Sequence, residues 1–388
     1  MNLPLFARYF PLNASILPEL LRPAQHDILK RRFLKGVLAL AIQHKKKTLS
    51  LSARQKIYFL LLSLLVLLGV AAYNYRIDIE RHIIHPKPQT AKTVQLGKTT
   101  FSLQQLHSPQ ITSYDVDKIL SFQIRGDQFY ISLRSQDGET TQVQAYDLQE
   151  GSLYPHTSFG KKGIFTINDK MVLSVNVGTK GDIYYVKKGI HVLRDGNDII
   201  SLKGSTTATR VELLPGEQKA YLYGNDNFTL ATIRDGAFEN NKPAFLHNRA
   251  KPFAGGLTLI QIASDGSIYG GGRIKPNDLN IVVGFSPKGK PIRYFGSYHQ
   301  TDQDSIYNLI DMAVLDNYLA VIDGFTLKLW SRDGHYLGSF NNSKLLGSNL
   351  NCAKLYPLND KTLAILAYVR NSETKLVEIK LFTLTFPR

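Results

Sequence analysis

Cysteine is nearly absent from this 388-residue chain, which contains only Cys352. No intrachain disulfide can form, so the disulfide-stapled scaffolds of small secreted proteins are excluded and the fold must depend on its own hydrophobic core. Cys352 lies among apolar residues in NCAKLYPL, and the sequence indicates no histidine as its partner. The pattern therefore predicts a small buried side chain and not a catalytic thiol.

Motifs that carry known chemistry are also missing. The ten histidines show no H-x-H or H-E-x-x-H spacing, and TDQDS and DGND lack the spaced oxygen ligands and closing Glu of a calcium loop. No G-x-S-x-G elbow occurs, and GGGR at 270–273 lacks the lysine and Ser/Thr of a P-loop. We therefore predict no catalytic residue, no metal and no cofactor, while enzyme activity stays an open question.

Charge is absent from residues 57–75, IYFLLLSLLVLLGVAAYNY. As a helix this run would be about 28 Å long, close to the hydrocarbon thickness of a bilayer. A buried core helix of this length would carry polar residues along one face. Small residues at 69–72 would suit a signal peptidase, but the 56 residues before the run greatly exceed the n-region of a signal peptide. We predict one transmembrane helix, with a cleaved signal peptide as the alternative.

The segment before this span, residues 1–56, is strongly basic. It holds eleven Lys/Arg and two acidic residues, a net +9 of the chain's +16. Basic flanks stay in the cytoplasm, so we expect the N-terminus inside the plasma membrane and the C-terminal domain outside it. A juxtamembrane helix is predicted from apolar positions that share one side: Leu29, Phe33, Val37 and Leu40. We expect anionic lipid to bind at its basic end, Lys45, Lys46 and Lys47, with packing on a cytoplasmic partner as the alternative.

Beyond the span, the remaining +7 is spread over more than 300 residues. Nucleic-acid binding would need a concentrated basic face with interleaved aromatic residues, so we predict no nucleic-acid partner. Residues 76–93, around Pro86 and Pro88, are predicted to form a stalk.

From residue 94 onward, short apolar runs alternate with Gly, Asp and Asn turns, and no helical period appears. A polar turn followed by a strand recurs every 42 to 51 residues, around Asp127, Asp169, Glu217, Asp265, Asp316 and Asp360. A second turn with glycine follows in the first five units, at Gly151, Gly196, Gly236, Gly289 and Gly334. Two hairpin signals per unit describe four antiparallel strands, the size of one propeller blade. The sequence thus predicts an all-β, six-bladed β-propeller over residues 94–388.

The sixth unit ends before a fourth strand, whereas a strand pattern at 94–106 precedes the first unit. We predict that these two ends of the domain pair. Such pairing would close the ring and remove two exposed sheet edges that invite aggregation.

The fifth unit, IDMAVLDNYLAVIDGFTLKLWSRDGHYLGSF at 310–340, resembles an NHL-type repeat. In that family an apolar inner strand is followed by a strand ending near Asp, a third strand, and a D-G turn before a last strand ending in Phe. The resemblance implies the six-bladed β-propeller superfamily and no particular member. Trp330, in the third strand, is predicted to lie in the core.

In such a ring the acidic and glycine turns share one face, and the other connections share the opposite face, where resembling proteins usually bind their ligand. These connections include residues 158–163, 240–252, 271–278, 298–305, 323–324 and 341–348. The candidate ligand contacts among them are Arg273, His299, Asp302, Asp304 and Asp323.

The predicted architecture favours a single-pass membrane scaffold or sensor that binds a protein, peptide or envelope polymer. The alternative is an extracytoplasmic, metal-dependent propeller hydrolase or lyase, and a further one is a degenerate propeller that only spaces a membrane complex. Three or more carboxylate, Asn or His side chains within about 5 Å of one another at the channel mouth would favour the enzyme.

Overall fold

The computed structural model describes residues 90–387, apart from gaps at 179–180, 195–197, 203–207, 215–216, 225–226, 235–236, 244–252, 254–256, 275–278 and 289. The predicted basic segment 1–56, the predicted span 57–75 and most of the predicted stalk lie outside the described residues. Within the part that the structure describes, no helix is long and apolar enough to span a bilayer.

Four of the sheets are antiparallel meanders of four strands, each strand paired with the next along the chain. The first has β8 (Ser174–Val177), β9 (Ile183–Val186), β10 (Ile190–Arg194) and β11 (Asp198–Leu202), and the second has β12 (Arg210–Leu213), β13 (Lys219–Gly224), β14 (Asn227–Arg234) and β15 (Ala237–Pro243). The third has β16 (Leu259–Ile262), β17 (Ile268–Arg273), β18 (Asn280–Phe285) and β19 (Pro291–Phe295), and the fourth has β20 (Leu309–Val314), β21 (Tyr318–Asp323), β22 (Thr326–Ser331) and β23 (Tyr336–Asn341).

A ten-stranded sheet joins the two ends of the domain. Its early half has β3 (Ile119–Arg125), β4 (Gln128–Arg134), β5 (Thr141–Gln149), β6 (Ser152–Pro155) and β7 (Ile164–Ile167), and its late half has β1 (Lys92–Leu96), β2 (Thr99–Ser113), β24 (Asn351–Asn359), β25 (Thr362–Arg370) and β26 (Val377–Thr385). The halves meet at a parallel pairing of His107 in β2 with Ser152 in β6. A short α-helix, α1 (Asn342–Leu346), and a 3-10 helix at Val116–Lys118 complete the elements.

The middle strands are apolar along most of their length because neighbouring sheets pack on both of their faces. In β21, residues 319–323 are all buried, and in β22 residues 327–330 are buried as well. Strands covered on two sides lose the polar alternation of a half-exposed sheet. Trp330 in β22 is 1% exposed, as its place in the predicted third strand indicated.

The predicted closure of the domain is confirmed. Residues 102–106 of β2 pair antiparallel with residues 381–385 of β26, so the N-terminal strand supplies the strand that the last unit lacks. Strand β1 begins at Lys92, two residues before the predicted start, and forms a hairpin with β2. The apolar side chains of β2 join the core of the last sheet, where Phe101 packs edge-on against Phe386 at 5.2 Å.

Two sequence predictions about the first and second units are wrong. Asp169 does not lie in a first hairpin turn, because it precedes β8 and the turn between β8 and β9 is at 178–182. Residues 158–163 do not form a connection on the predicted ligand face. They interrupt the outer strand of the early half, because β6 and β7 both pair with β5 and flank this excursion.

The first strands of successive meanders, β3, β8, β12, β16, β20 and β24, surround one shared cavity. Consecutive meanders arranged around a central channel, with the N-terminal strand completing the last one, are the arrangement of a β-propeller. The domain is therefore an all-β, nearly closed propeller.

Candidate functional site

The propeller has two faces that differ in their connections. One, which we name the turn face, holds the connections between first and second strands and between third and fourth strands. The other, the loop face, holds the connections between second and third strands and those that lead from one meander to the next. Five of the six predicted polar turns, all except that of Asp169, lie on the turn face.

Exposed apolar side chains are distributed unequally between the two faces. Among the described residues, nine large hydrophobic side chains are exposed. Six of them lie in loop-face connections: Tyr114, Met171, Leu173, Tyr298, Tyr307 and Phe325. The other three lie on outer strands: Ile164, Ile292 and Tyr294. None of the nine is in a turn of the turn face.

Three of the exposed aromatic residues lie above neighbouring sheets. Phe325 is 69% exposed in the turn between β21 and β22, and Tyr307 (54%) and Tyr298 (48%) lie in the connection from β19 to β20. We name Tyr298, Tyr307 and Phe325 the aromatic patch. Exposed aromatic side chains grouped on one side of a protein mark a binding surface, because their burial by a partner is energetically favourable.

The connection that carries the patch is held by its own hydrogen bonds. The hydroxyl of Ser297 accepts a hydrogen bond from the backbone N–H of His299 at 3.0 Å and donates one to the carboxylate of Asp302. The hydroxyl of Ser305 donates to the carbonyl of His299. Two predicted ligand contacts, His299 and Asp302, therefore take part in folding this connection.

Asp323, another predicted contact, is buried beneath the patch. Its Oδ1 accepts hydrogen bonds from the backbone N–H groups of Tyr307 at 3.0 Å and Asn308 at 2.7 Å. Its Oδ2 pairs with the Lys328 ammonium at 3.0 Å, with both side chains less than 10% exposed. Lys328 also donates to the carbonyl of Ser305 and lies 5.9 Å from the ring centroid of Tyr307. Asp323 thus fixes the position in which Tyr307 is presented.

The remaining predicted contacts border the same segment. Arg273 is exposed at the end of β17, opposite Asn280 in β18. The side-chain amide of Asn280 donates to the carbonyl of Tyr307 at 3.0 Å. Asp304 is half-buried in the same connection as Tyr298. The structure thus brings the five predicted residues to one side of the loop face, around residues 305–308.

The channel beneath the loop face is a second candidate site, and sequence reasoning missed it. A cavity of about 110 Å³ is lined by all of the first strands, and a neighbouring one of about 200 Å³ opens at the other end of the channel. Six charged side chains line these cavities: Arg125, Arg210, Glu212, Glu217, Asp311 and Lys354.

Arg125 is held in the channel by neutral acceptors. Its Nε donates to the carbonyl of Val177 at 2.8 Å, and its Nη2 donates to Oδ1 of Asn176 at 3.1 Å. Its Nη1 hydrogen-bonds the hydroxyl of Tyr356. The amide of Asn176 in turn donates to Oε2 of Glu212 at 3.2 Å. These contacts join β3, β8, β12 and β24 into one polar layer.

The two channel carboxylates are shifted towards their neutral forms. Burial raises the pKa of Glu212 to about 7, with Arg125 and Arg210 opposing the shift and Asp311 adding to it. Burial likewise raises the pKa of Asp311, although Lys354 and the backbone N–H of Leu355, which donates to Oδ2 at 2.8 Å, oppose it. Near neutral pH the Glu212 carboxyl is therefore incompletely ionised.

A signal for this channel was present in the sequence. Each first strand has a polar residue between apolar ones, as in β12 with Glu212 and β20 with Asp311. A strand enclosed in a propeller should be apolar throughout unless one of its edges faces a channel. The polar positions of the first strands therefore indicated a hydrated or ligand-filled axis.

In the portion of the chain that the structure describes, no three His, Cys, Asp or Glu side chains form a group that could hold a metal ion. Cys352 is buried, its thiol donates to Oδ1 of Asn342 at 3.4 Å, and burial raises its pKa to about 12. This thiol is therefore un-ionised at physiological pH and unsuited to nucleophilic chemistry.

No protein-family model matches the sequence, and no curated protein matches it. Solved structures with a similar fold include the hydrazine synthase of Kuenenia stuttgartiensis, with 11% identity and a TM-score of 0.43, covering 66% of this chain and 78% of that one. The WD40 domain of Toxoplasma gondii coronin has 9% identity and a TM-score of 0.44, covering 77% and 90%. The Pan2 WD40 domain of Neurospora crassa has 8% identity and a TM-score of 0.41, covering 78% and 98%. Such distant similarities carry no argument about function, and the propeller assignment follows from the strand order described above.

Proposed function

We propose that this chain is a binding or scaffold module whose loop face docks a protein, peptide or envelope component. The observation that carries this proposal is the unequal distribution of exposed apolar side chains, which occupy the loop face and outer strands but no turn of the turn face within the described residues. A protein that served only as a spacer would have no reason to expose one face in this way.

The support beneath the aromatic patch favours binding of a partner to a preformed surface. Asp323 and Lys328 hold the backbone at Tyr307, and the hydrogen bonds of Ser297 and Ser305 hold the connection around Tyr298. A surface that is ordered before binding loses less conformational entropy when the partner docks. Arg273, His299, Asp302 and Asp304 would form a polar rim around the aromatic centre, the usual arrangement of an interface.

The finer architecture is part of the same proposal. Counting each half of the ten-stranded sheet as one blade gives a six-bladed ring in which β20–β23 correspond to the NHL-like repeat. Residues 57–75 would anchor this ring to the plasma membrane, with residues 1–56 and the lipid-binding lysines in the cytoplasm and the propeller outside. Sequence pattern alone supports this placement, since those residues lie outside the described part of the chain.

The test is capture of a partner by the full-length protein from detergent-solubilised membranes. Wild type should retain a reproducible set of proteins or envelope polymer that Tyr298→Ser/Phe325→Ser loses. A matched control, Ile292→Ser/Tyr294→Ser, removes two exposed apolar side chains from outer strand β19 and should retain the set. Equal capture by both double variants would contradict docking at the loop face, and no specific capture by wild type would favour a spacer.

The metal-dependent hydrolase or lyase has no supporting observation in the described residues. The membrane placement can be tested separately by adding protease to cells whose outer barrier has been removed. The propeller should be digested, whereas residues 1–56 should be protected. A protected propeller would contradict the proposed orientation.

A further inference from the structure

Five of the six charged side chains that line the channel form no ion pair within 4.0 Å among the described residues: Arg125, Arg210, Glu212, Asp311 and Lys354. Ion pairs occur elsewhere in the described residues, as between Lys328 and Asp323 or Arg332 and Asp265. Arg210 is exposed, but the other four are partly or fully removed from water. Leaving such charges unpaired costs free energy unless something in the cavity compensates them.

Arg210 and Lys354, the two cations at the loop-face end of the channel, are the ones whose N–H donors are available to a ligand. Arg125 donates hydrogen bonds to carbonyl, amide and phenol acceptors and so connects neighbouring strands. Arg210 starts β12, where its side chain is exposed, and among the described residues it hydrogen-bonds Tyr223, a phenol whose pKa is raised to about 12 by burial. Lys354 in β24 acts on Asp311 only through space. Both cations line the same cavity of about 110 Å³.

A third group in this cavity also lacks a partner. The hydroxyl of Ser174, at the start of β8, is buried without a hydrogen-bond partner, and Ser174 lines the cavity together with Arg210 and Lys354. A hydroxyl can donate to an oxyanion, and guanidinium and ammonium groups bind carboxylate and phosphate oxygens. The guanidinium, ammonium and hydroxyl donors at this end of the channel can therefore all bind the same kind of ligand, an oxyanion.

We propose that the loop-face end of the channel binds a small oxyanion, a carboxylate or phosphate group, held by Arg210, Lys354 and the hydroxyl of Ser174. This site lies within the ring, separate from the aromatic patch, so it goes beyond the proposed docking function. The anion is either a free small molecule or an acidic group of a partner seated on the loop face. In both cases the positive charges of Arg210 and Lys354 would bind the negative charge of the ligand.

Glu212 makes this site sensitive to pH. Glu212 lines the same cavity, and its carboxylate repels an anion when ionised, so binding should strengthen as pH falls through about 7. The charged and titratable groups that line these cavities with Glu212 are Arg125, Arg210, Glu217, Tyr223, Asp311, Lys354 and Tyr356. Burial raises the pKa of Tyr223 to about 12 and also raises the pKa of Tyr356, so both phenols stay neutral through this range.

The experiment titrates the full-length protein in detergent with sulfate and with acetate, whose charges stay constant between about pH 6 and about pH 8. We measure binding by calorimetry at matched ionic strength. Wild type should bind about tenfold more tightly at the lower pH. Arg210→Gln and Lys354→Gln should each weaken binding at least about tenfold. The matched control Lys344→Gln removes an exposed lysine of α1 on the same face and should bind as wild type does.

Glu212→Gln provides a readout that misfolding would not give. This variant should bind at about pH 8 as tightly as wild type binds at about pH 6, and its affinity should not change with pH. Trp330 fluorescence, reporting on a buried side chain, checks that each variant is folded. Equal binding by wild type, Arg210→Gln and Lys354→Gln would mean an adventitious ion only and would overturn the proposal, as would no binding by folded wild type.

The same samples distinguish the two sources of the anion and separate this proposal from the docking function. Saturating sulfate should reduce partner capture if the partner carries the oxyanion and leave it unchanged if the ligand is free. Tyr298→Ser/Phe325→Ser should bind sulfate normally. Loss of sulfate binding in that variant would overturn the assignment of the anion to the channel.

Discussion

The loop face and the turn face hold connections between the same strands, but their polar contacts differ in function. On the turn face, short polar turns tie neighbouring sheets together: Arg332 pairs with Asp265 at 2.8 Å, and Ser264 donates to Asp316 at 2.8 Å. On the loop face, longer connections are fastened from below, as Asp323 fastens residues 307 and 308, while aromatic side chains remain exposed. Polar contacts on the turn face therefore join neighbouring sheets, whereas those on the loop face hold the connections that carry the exposed aromatic side chains.

The largest effect should come from the buried support of the loop face. Asp323→Ala leaves the Lys328 ammonium buried without its partner and removes the acceptor for two backbone N–H groups. We expect a loss of about 3–5 kcal/mol in the free energy of unfolding, measured by denaturant titration with Trp330 fluorescence.

The double variant Asp323→Ala/Lys328→Met is the control for that result. Removing both charges should restore much of the lost stability, because no unpaired charge is left in the core. A loss below about 1 kcal/mol in the single variant would show that the loop-face connection does not depend on this pair.

The channel between the two faces should give the next largest effect. The folded-state pKa of Glu212 is raised from 4.5 to about 7, so between these values the folded protein holds a proton that the unfolded chain has released. Stability therefore falls as pH rises through this window, and the full penalty, at most about 3 kcal/mol, is present above about pH 7.

Glu212→Gln removes that penalty because the variant cannot ionise. The gain in unfolding free energy over wild type should be small near pH 4.5 and reach its maximum near pH 8. Urea titrations at several pH values measure it. A gain that does not change with pH would show that Glu212 has an ordinary pKa.

A smaller loss is expected on the turn face. The guanidinium of Arg332 joins two sheets through Asp265, the hydroxyl of Tyr269 at 2.8 Å and the carbonyl of Asp316 at 3.1 Å. Arg332→Ala should cost about 1–2 kcal/mol, because the pair is partly exposed and solvent screens it. Lys361→Ala, in another turn of this face, should leave the unfolding free energy unchanged, and an equal loss in both variants would argue against a joining role for Arg332.

Local signals made the hairpins and the closure predictable. Polar turns at Asp127, Glu217 and Asp316 lie between first and second strands as the sequence indicated, because a turn and its two strands are adjacent in the chain. The extra strand before the first unit was expected to pair with the incomplete last unit, because this pairing covers the exposed edge of both. The five candidate contacts share one face because alternate connections of a meander always do.

The misses came from irregularity and from distance along the chain. Residues 156–163 split one outer strand into β6 and β7, and this insertion shifted the repeat so that Asp169 resembled a hairpin turn. The channel is built from single polar residues on separate strands, such as Arg125, Glu212 and Asp311. A polar residue in an otherwise apolar first strand indicates an axis, but only ring closure shows which of these residues meet there. Likewise, nothing near Asp323 in sequence showed that it would support residues 307 and 308.

The smallest effect on stability should accompany the largest effect on binding. Phe325 is 69% exposed at the tip of the turn between β21 and β22, so Phe325→Ser should change the unfolding free energy by less than about 0.5 kcal/mol. Its contribution appears only when a partner covers the ring, and truncating an aromatic at the centre of an interface costs about 2 kcal/mol or more of binding energy. Partner capture should therefore fall at least about tenfold, whereas Ile292→Ser, which changes a side chain that is 49% exposed on an outer strand, should leave capture normal. If both single variants retain the partner while Asp323→Ala loses it, the loop face acts through its backbone and polar rim, and the aromatic patch is not the centre of the interface.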